Sequence, residues 1–158
     1  MTKRNLFSLG EFIGFVVVAL CASTSFAMEL NSQQQEVMDA ISAQLGHFYA
    51  KEWEEHETYI HPDFVSWGAY LPVPVPRSPN SRKLLRLANE SSEVLGYNII
   101  PLSVQVHGDT AVTNLIVRVW RKRSPEVKPN WLTLRLHNTW VKHDGRWLLY
   151  AVYNSREE

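Results

Sequence analysis

Cysteine is almost missing: the 158 residues hold one, Cys21, inside an apolar run near the start of the chain. That run, residues 12–22, has 11 members, too few to span a bilayer comfortably, which takes about 20 apolar residues. Lys3 and Arg4 precede it, and Ser25-Phe26-Ala27 follows with small residues at the two positions a signal peptidase reads. Residues 1–27 are therefore expected to be a cleavable signal peptide, and residues 28–158 a periplasmic or secreted domain without stable membrane insertion. Cys21 leaves with the leader, and Leu20 before it is bulky where a lipoprotein signal has a small residue. What remains has no disulfide, no thiolate nucleophile and no cysteine metal ligand.

Net charge is missing too, with 16 basic residues against 16 acidic. Loss of Lys3, Arg4 and Glu11 leaves 14 against 15. Nothing here steers the chain to nucleic acid or to an acidic membrane surface, and the three charges of Arg121-Lys122-Arg123 are too few to reverse that. There is no internal repeat, no phosphate-binding glycine loop and no serine nucleophile motif. His56-Glu57 and His61 suggest a zinc site, but the histidines are five apart with Pro62 adjacent, not four apart on one helix face. No metal and no cofactor is implied. Glu52, Glu54, Glu55 and Glu57 read as a solvated helix face.

What is present is a strong periodic pattern. Ser32 and Gln35 form a capping-box pattern, and Val37, Ile41, Leu45 and Phe48 recur at helical spacing over 32–50. A short helix is expected over 52–60, a turn at His61-Pro62-Asp63 and an extended piece over 64–67. Residues 71–79 hold four prolines and read as a stiff loop. Ser78 then caps a third helix with Pro79 in its first turn. Leu84, Leu87, Ala88 and Leu95 form one face of it, closed by Gly96. Strands are expected over 102–107, 111–121, 131–142 and 147–155. Helices first and an antiparallel meander afterwards make an α+β domain with helices on one sheet face.

Strand 131–142 alternates most clearly. Leu132, Leu134, Leu136, Asn138 and Trp140 share the face expected to meet the helices. Asn138 is the one polar member, and a buried amide without partners costs roughly 1 to 3 kcal/mol. A three-residue loop containing Gly145 would pair Lys142 with Arg146 and put Leu148, Tyr150, Val152 and Asn154 on the inner face. A two-residue Asp144-Gly145 turn would instead bring Ala151 beside Asn138. The first arrangement is preferred. It leaves Trp147, Leu149, Ala151 and Tyr153 on an outer face too apolar for solvent, for which a homodimer is the simplest cover. On strand 111–121, Leu115, Val117 and Val119 form one face, and Asn114, Ile116, Arg118 and Trp120 the other.

Three segments, His61-Pro62-Asp63-Phe64-Val65-Ser66-Trp67-Gly68, Asn138-Thr139-Trp140 and Asp144-Gly145-Arg146-Trp147, resemble the nuclear transport factor 2-like (NTF2-like) superfamily, in its SnoaL-like branch. The resemblance covers nearly all of 28–158. It implies a conical sheet wrapped on helices with a pocket between, often dimeric through the outer sheet face. From Asp109 to Ser155 the chain also resembles the association domain of calcium/calmodulin-dependent protein kinase II. That domain's pocket arginines fall on Arg118, Asn138 and Asn154, which implies that Arg118 turns inward beside Asn138. In the ketosteroid isomerase comparison, an acidic oxyanion-hole donor falls on Asn138, but the catalytic base falls near Trp67-Gly68, where no carboxylate stands. The expected site is thus Arg118 and Asn138 with Asn154, walled by Tyr150 and Trp67, holding a small organic anion. Two other roles remain: a general acid–base enzyme (lyase, isomerase or hydrolase), and a non-catalytic dimerisation module.

Overall fold

The computed structural model describes residues 29–68 and 72–157; the expected leader lies outside them. The order is α1 (Ser32–Ala50), α2 (Trp53–Glu57), β1 (Ile60–Gly68), β2 (Val75–Pro76), α3 (Pro79–Glu90), β3 (Glu93–His107), β4 (Thr110–Lys122), β5 (Asn130–His143) and β6 (Arg146–Glu157).

Asn31 caps α1, one residue earlier than the sequence pattern suggested. Its side chain accepts from the Gln34 amide N–H, and the Gln34 side-chain oxygen accepts from the Asn31 N–H. Gln34 Nε2 also donates to the Val104 carbonyl at 2.7 Å, tying the helix to β3. At the same end Lys142 and Trp147 both donate to Glu36, fixing α1 to the β5–β6 hairpin. Val37, Ile41 and Leu45 then face inward and pack with Leu115, Val117, Val119, Trp140 and Leu149.

The six strands run in the order β2-β1-β6-β5-β4-β3. The meander β3 to β6 is antiparallel, as expected, but β1 pairs with β6 in parallel, so the sheet is mixed. Part of the proline-rich loop pairs as well: β2 adds to the sheet edge beside β1, where a proline deprives no inner ladder of a donor. α3 has the expected Ser78 cap and Pro79, but stops at Glu90. Leu95 and Gly96 belong to β3, which starts nine residues before the expected strand.

The hairpin overturns the preferred register. Asp144 and Gly145 form a two-residue turn, both with positive φ (49° and 77°), and His143 pairs with Arg146. Such turns match the natural strand twist. Trp147 and Leu149 therefore point into the core. A register shift opposite Thr139/Trp140 then inserts one residue, so Val152, not Tyr150 or Ala151, faces Asn138. Val152 and Asn154 are inward as expected, while Tyr150 is exposed.

Candidate functional site

Between the concave sheet face, α1, α2 and α3 lies a cavity of about 490 Å³, a size suited to a small organic ligand. Its walls are mostly aliphatic: Leu45 and Phe48 from α1, Val119 from β4, Leu132, Leu134 and Leu136 from β5, Leu149 and Val152 from β6. Leu84 and Leu85 of α3 form its roof.

Among the described residues, four arginines border this apolar space, Arg77, Arg82, Arg121 and Arg156, together with one carboxylate, Glu57. Glu57 pairs with Arg77 at 2.6 Å and lies 3.6 Å from Arg82. Arg77 also donates to the carbonyls of Ile60 and His61, which pins the segment before α3 to β1. Arg121 continues the inward stripe of β4 past Val119, and Arg156 continues that of β6 past Asn154.

A second polar group comes from the helices. His56 on α2 is 4% exposed and Gln44 on α1 is 6% exposed. Gln44 offers His56 Nδ1 both a donor, its side-chain Nε2 at 3.2 Å, and an acceptor, its backbone carbonyl at 3.3 Å. The one nitrogen can thus be held protonated or bare. His56 Nε2 has no hydrogen-bond partner among the described residues. Burial pushes the His56 pKa below the ordinary histidine value, so the ring is neutral at pH 7. Nearby, burial pushes the Tyr49 phenol up, so it stays a neutral lining group.

Two of the expected site residues border the cavity, Asn138 and Asn154. Asn138 is 3% exposed and its amide oxygen has no partner among the described residues; Asn154 lies against Gly68. The other three turn away, which corrects the expected geometry. Arg118 follows the even-numbered, outward stripe of β4, is exposed, and stacks over Trp131 at 4.8 Å. An inward Arg118 would have displaced Val117 or Val119 from the core. Trp67 is outward against Tyr153 at 5.8 Å, and its inward neighbour Ser66 lines the cavity instead. Tyr150 stacks on His61 at 5.1 Å.

The sequence signal for Arg121 and Arg156 was the alternation itself, extended to the strand ends. Arg77 and His56 had no such signal, because one sits in a proline-rich segment and the other on a five-residue helix. Among the described residues no cluster of three His, Cys, Asp or Glu side chains offers a metal site.

No family model and no curated protein matches the sequence. Solved structures do match. A ketosteroid isomerase-like protein from Erwinia carotovora atroseptica superposes with TM-score 0.70 at 14% identity, over 82% of this chain and 99% of that one. The calcium/calmodulin-dependent protein kinase II hub homology domain of Chlamydomonas reinhardtii gives 0.67 at 17%, over 80% and 100%. An NTF2-like protein from Cytophaga hutchinsonii gives 0.61 at 16%, over 81% and 100%. At these identities the likeness fixes the fold: helices followed by a curved sheet, the NTF2-like cone.

Proposed function

We propose that this chain is an exported NTF2-like domain that holds a small organic anion in its cavity and acts as a homodimer. The observation that carries the ligand reading is the lining: four arginines and one carboxylate around an apolar space. Arginine binds carboxylates in a bidentate fork, and an anion there would meet a low-dielectric wall rather than water. The test is a melting series with organic acids, followed by titration of Arg121→Met and Arg123→Met. Arg123 is exposed beyond β4. The Arg121 variant should lose on the order of 2 to 5 kcal/mol of binding, and the Arg123 variant almost none. If Arg121→Met instead destabilises the unliganded fold by several kcal/mol while no acid shifts the wild-type melting temperature, the arginines serve internal pairs and the ligand reading is wrong.

His56 supports a second reading, an enzyme using general acid–base chemistry. A neutral imidazole bordering a cavity with one nitrogen unengaged can take a proton from a bound carbon acid and return it. Deuterium uptake from D₂O into bound 3-oxo acids, lost in His56→Gln with binding retained, would support it. Unchanged exchange in the variant would remove it.

Export rests on the residues alone: Lys3, Arg4, the 11-residue apolar run and Ser25-Phe26-Ala27. The exported protein should begin at Met28 by intact mass. Full-length chain in the membrane fraction would overturn this.

A further inference from the structure

Three uncharged polar side chains interrupt the aliphatic sheet wall of the cavity: Asn138 on β5, Asn154 on β6 and Ser66 on β1. The strand registers bring them together. Asn138 lies opposite Val152, and Val152 opposite Ser66, so these form one row across the sheet. Asn154 stands in the next row, between Leu136 and Gly68. It is the diagonal neighbour of both polar residues, at roughly 7 to 8 Å from Asn138. None of the three makes a side-chain hydrogen bond among the described residues. Asn138 Oδ1 is buried, while Nδ2, equally unpaired, is not sealed off, so this amide turns its N–H donors to the cavity. Asn154 keeps both a donor and an acceptor open, and Ser66 a hydroxyl. Polar groups so placed are costly unless something pairs with them. Gly68 leaves them room: a Cβ there would stand 3.2 Å from Asn154 Oδ1.

A donor on one strand and acceptors on the next two are matched by a group that carries both kinds of atom. A primary carboxamide does, with a carbonyl that accepts and an NH₂ that donates twice. A carboxylate only accepts, and a ketone or ester leaves Asn154 Oδ1 unanswered. We infer that Asn138, Asn154 and Ser66 form a subsite for a primary carboxamide on a hydrocarbon body. The ligand carbonyl accepts from Asn138 Nδ2, and its NH₂ donates to Asn154 Oδ1 and Ser66 Oγ. Leu134, Leu136 and Val152, on the same wall, meet the hydrocarbon. None of these contacts involves an arginine, so the subsite goes beyond the anion reading and does not depend on it.

The probes are cyclohexanecarboxamide, cyclohexyl methyl ketone and cyclohexanecarboxylate, titrated calorimetrically against the protein. The ketone copies the carboxamide with a methyl group in place of NH₂. Wild-type protein should bind the carboxamide about tenfold more tightly than the ketone. Asn154→Leu removes an acceptor and should bring the two within about twofold. Gly68→Ala keeps every polar group and crowds Asn154 Oδ1. Gly68 has no positive φ, so alanine fits its backbone, and the preference should narrow to about threefold. If Asn154→Leu fails to fold, the wild-type comparison and Gly68→Ala decide. Equal wild-type affinity for carboxamide and ketone overturns the subsite, as does a preference that survives undiminished in the variants. No binding of the carboxamide overturns it as well. Binding of cyclohexanecarboxylate with no amide preference overturns the subsite and leaves the anion reading standing. An amide preference without carboxylate binding supports the subsite alone.

Discussion

Arg118 and Arg121 stand three residues apart on one strand and face opposite media. Arg118 lies over the Trp131 ring on the outer face, and Arg121 borders the cavity. An exposed cation–π contact is worth about 0.5 to 1 kcal/mol, so Arg118→Met should lower stability by no more than about that in denaturant unfolding, and leave acid binding unchanged. A Kd change as large as that of Arg121→Met would mean Arg118 reaches the ligand after all. His56 offers a sharper test. Its desolvation lowers the folded-state pKa, with the Gln44 carbonyl and Glu57 pulling weakly the other way. As pH falls, the unfolded chain takes the proton first. The stabilisation is therefore present above roughly pH 6.5, the ordinary histidine value, and lost below it. Between pH 7.5 and 5 the wild-type melting temperature should fall further than that of His56→Gln. Parallel pH profiles would show that His56 is not held neutral.

At the scale of elements, the β5–β6 turn decides what faces the cavity. Gly145 sits at φ 77°, where a Cβ meets the following carbonyl at a cost of roughly 1 to 2 kcal/mol. Gly145→Ala should lower unfolding stability by about that amount. Gly96→Ala, where φ is not positive and nothing lies within 4 Å of an added Cβ, should be close to neutral. Equal costs would mean the turn is not of this type. The same turn shows what was legible beforehand. Alternation on β5 located the inner face and Asn138, because period two survives in any register. It could not locate Tyr150, because the turn length and the extra residue of β6 each shift the face by one. For α3 the cap was readable, but the packing was not. The helix has no buried residue; Leu84 and Leu87 are 67% and 53% exposed, while Arg82 and Arg86 are half-buried against Glu57 and Trp53. Its leucines stay largely exposed even where Leu84 and Leu85 border the cavity, so helical spacing named a face but not how completely it is covered. A roof so lightly held should exchange its amide hydrogens faster than α1 and slow when an acid binds. Exchange in α3 as slow as in α1 without ligand would contradict this.

At the scale of the whole molecule the outer sheet face asks for a cover. Trp67, Tyr153, Ile100, Leu102 and Trp131 are all at least 36% exposed. Trp67 and Tyr153 pair edge to face across β1 and β6. Between the aromatic groups runs a polar line in which His137 Nδ1 donates to Asn114 Oδ1 at 2.8 Å and Asn114 Nδ2 donates to Ser103 Oγ at 2.8 Å. Internal pairing of these polar groups lowers the cost of covering them. A stable interface needs about 800 Å² per partner, which a curved six-stranded sheet can supply and the exposed leucines of a 12-residue helix do not. Light scattering at micromolar concentration should thus give twice the monomer mass. Tyr153→Glu places a charge where an aromatic anchor was buried; a loss of 2 kcal/mol or more, about thirtyfold in dimer Kd, is expected. In the free monomer Tyr153 is 46% exposed, so the variant should melt close to the wild-type monomer at high dilution. Leu87→Glu on α3 should leave the dimer intact. If Leu87→Glu dissociates it and Tyr153→Glu does not, the copies meet through the roof of the cavity, and ligand entry and assembly compete for one surface. A wild-type protein that stays monomeric at every concentration would remove the dimer and leave the aromatic outer face to a different partner.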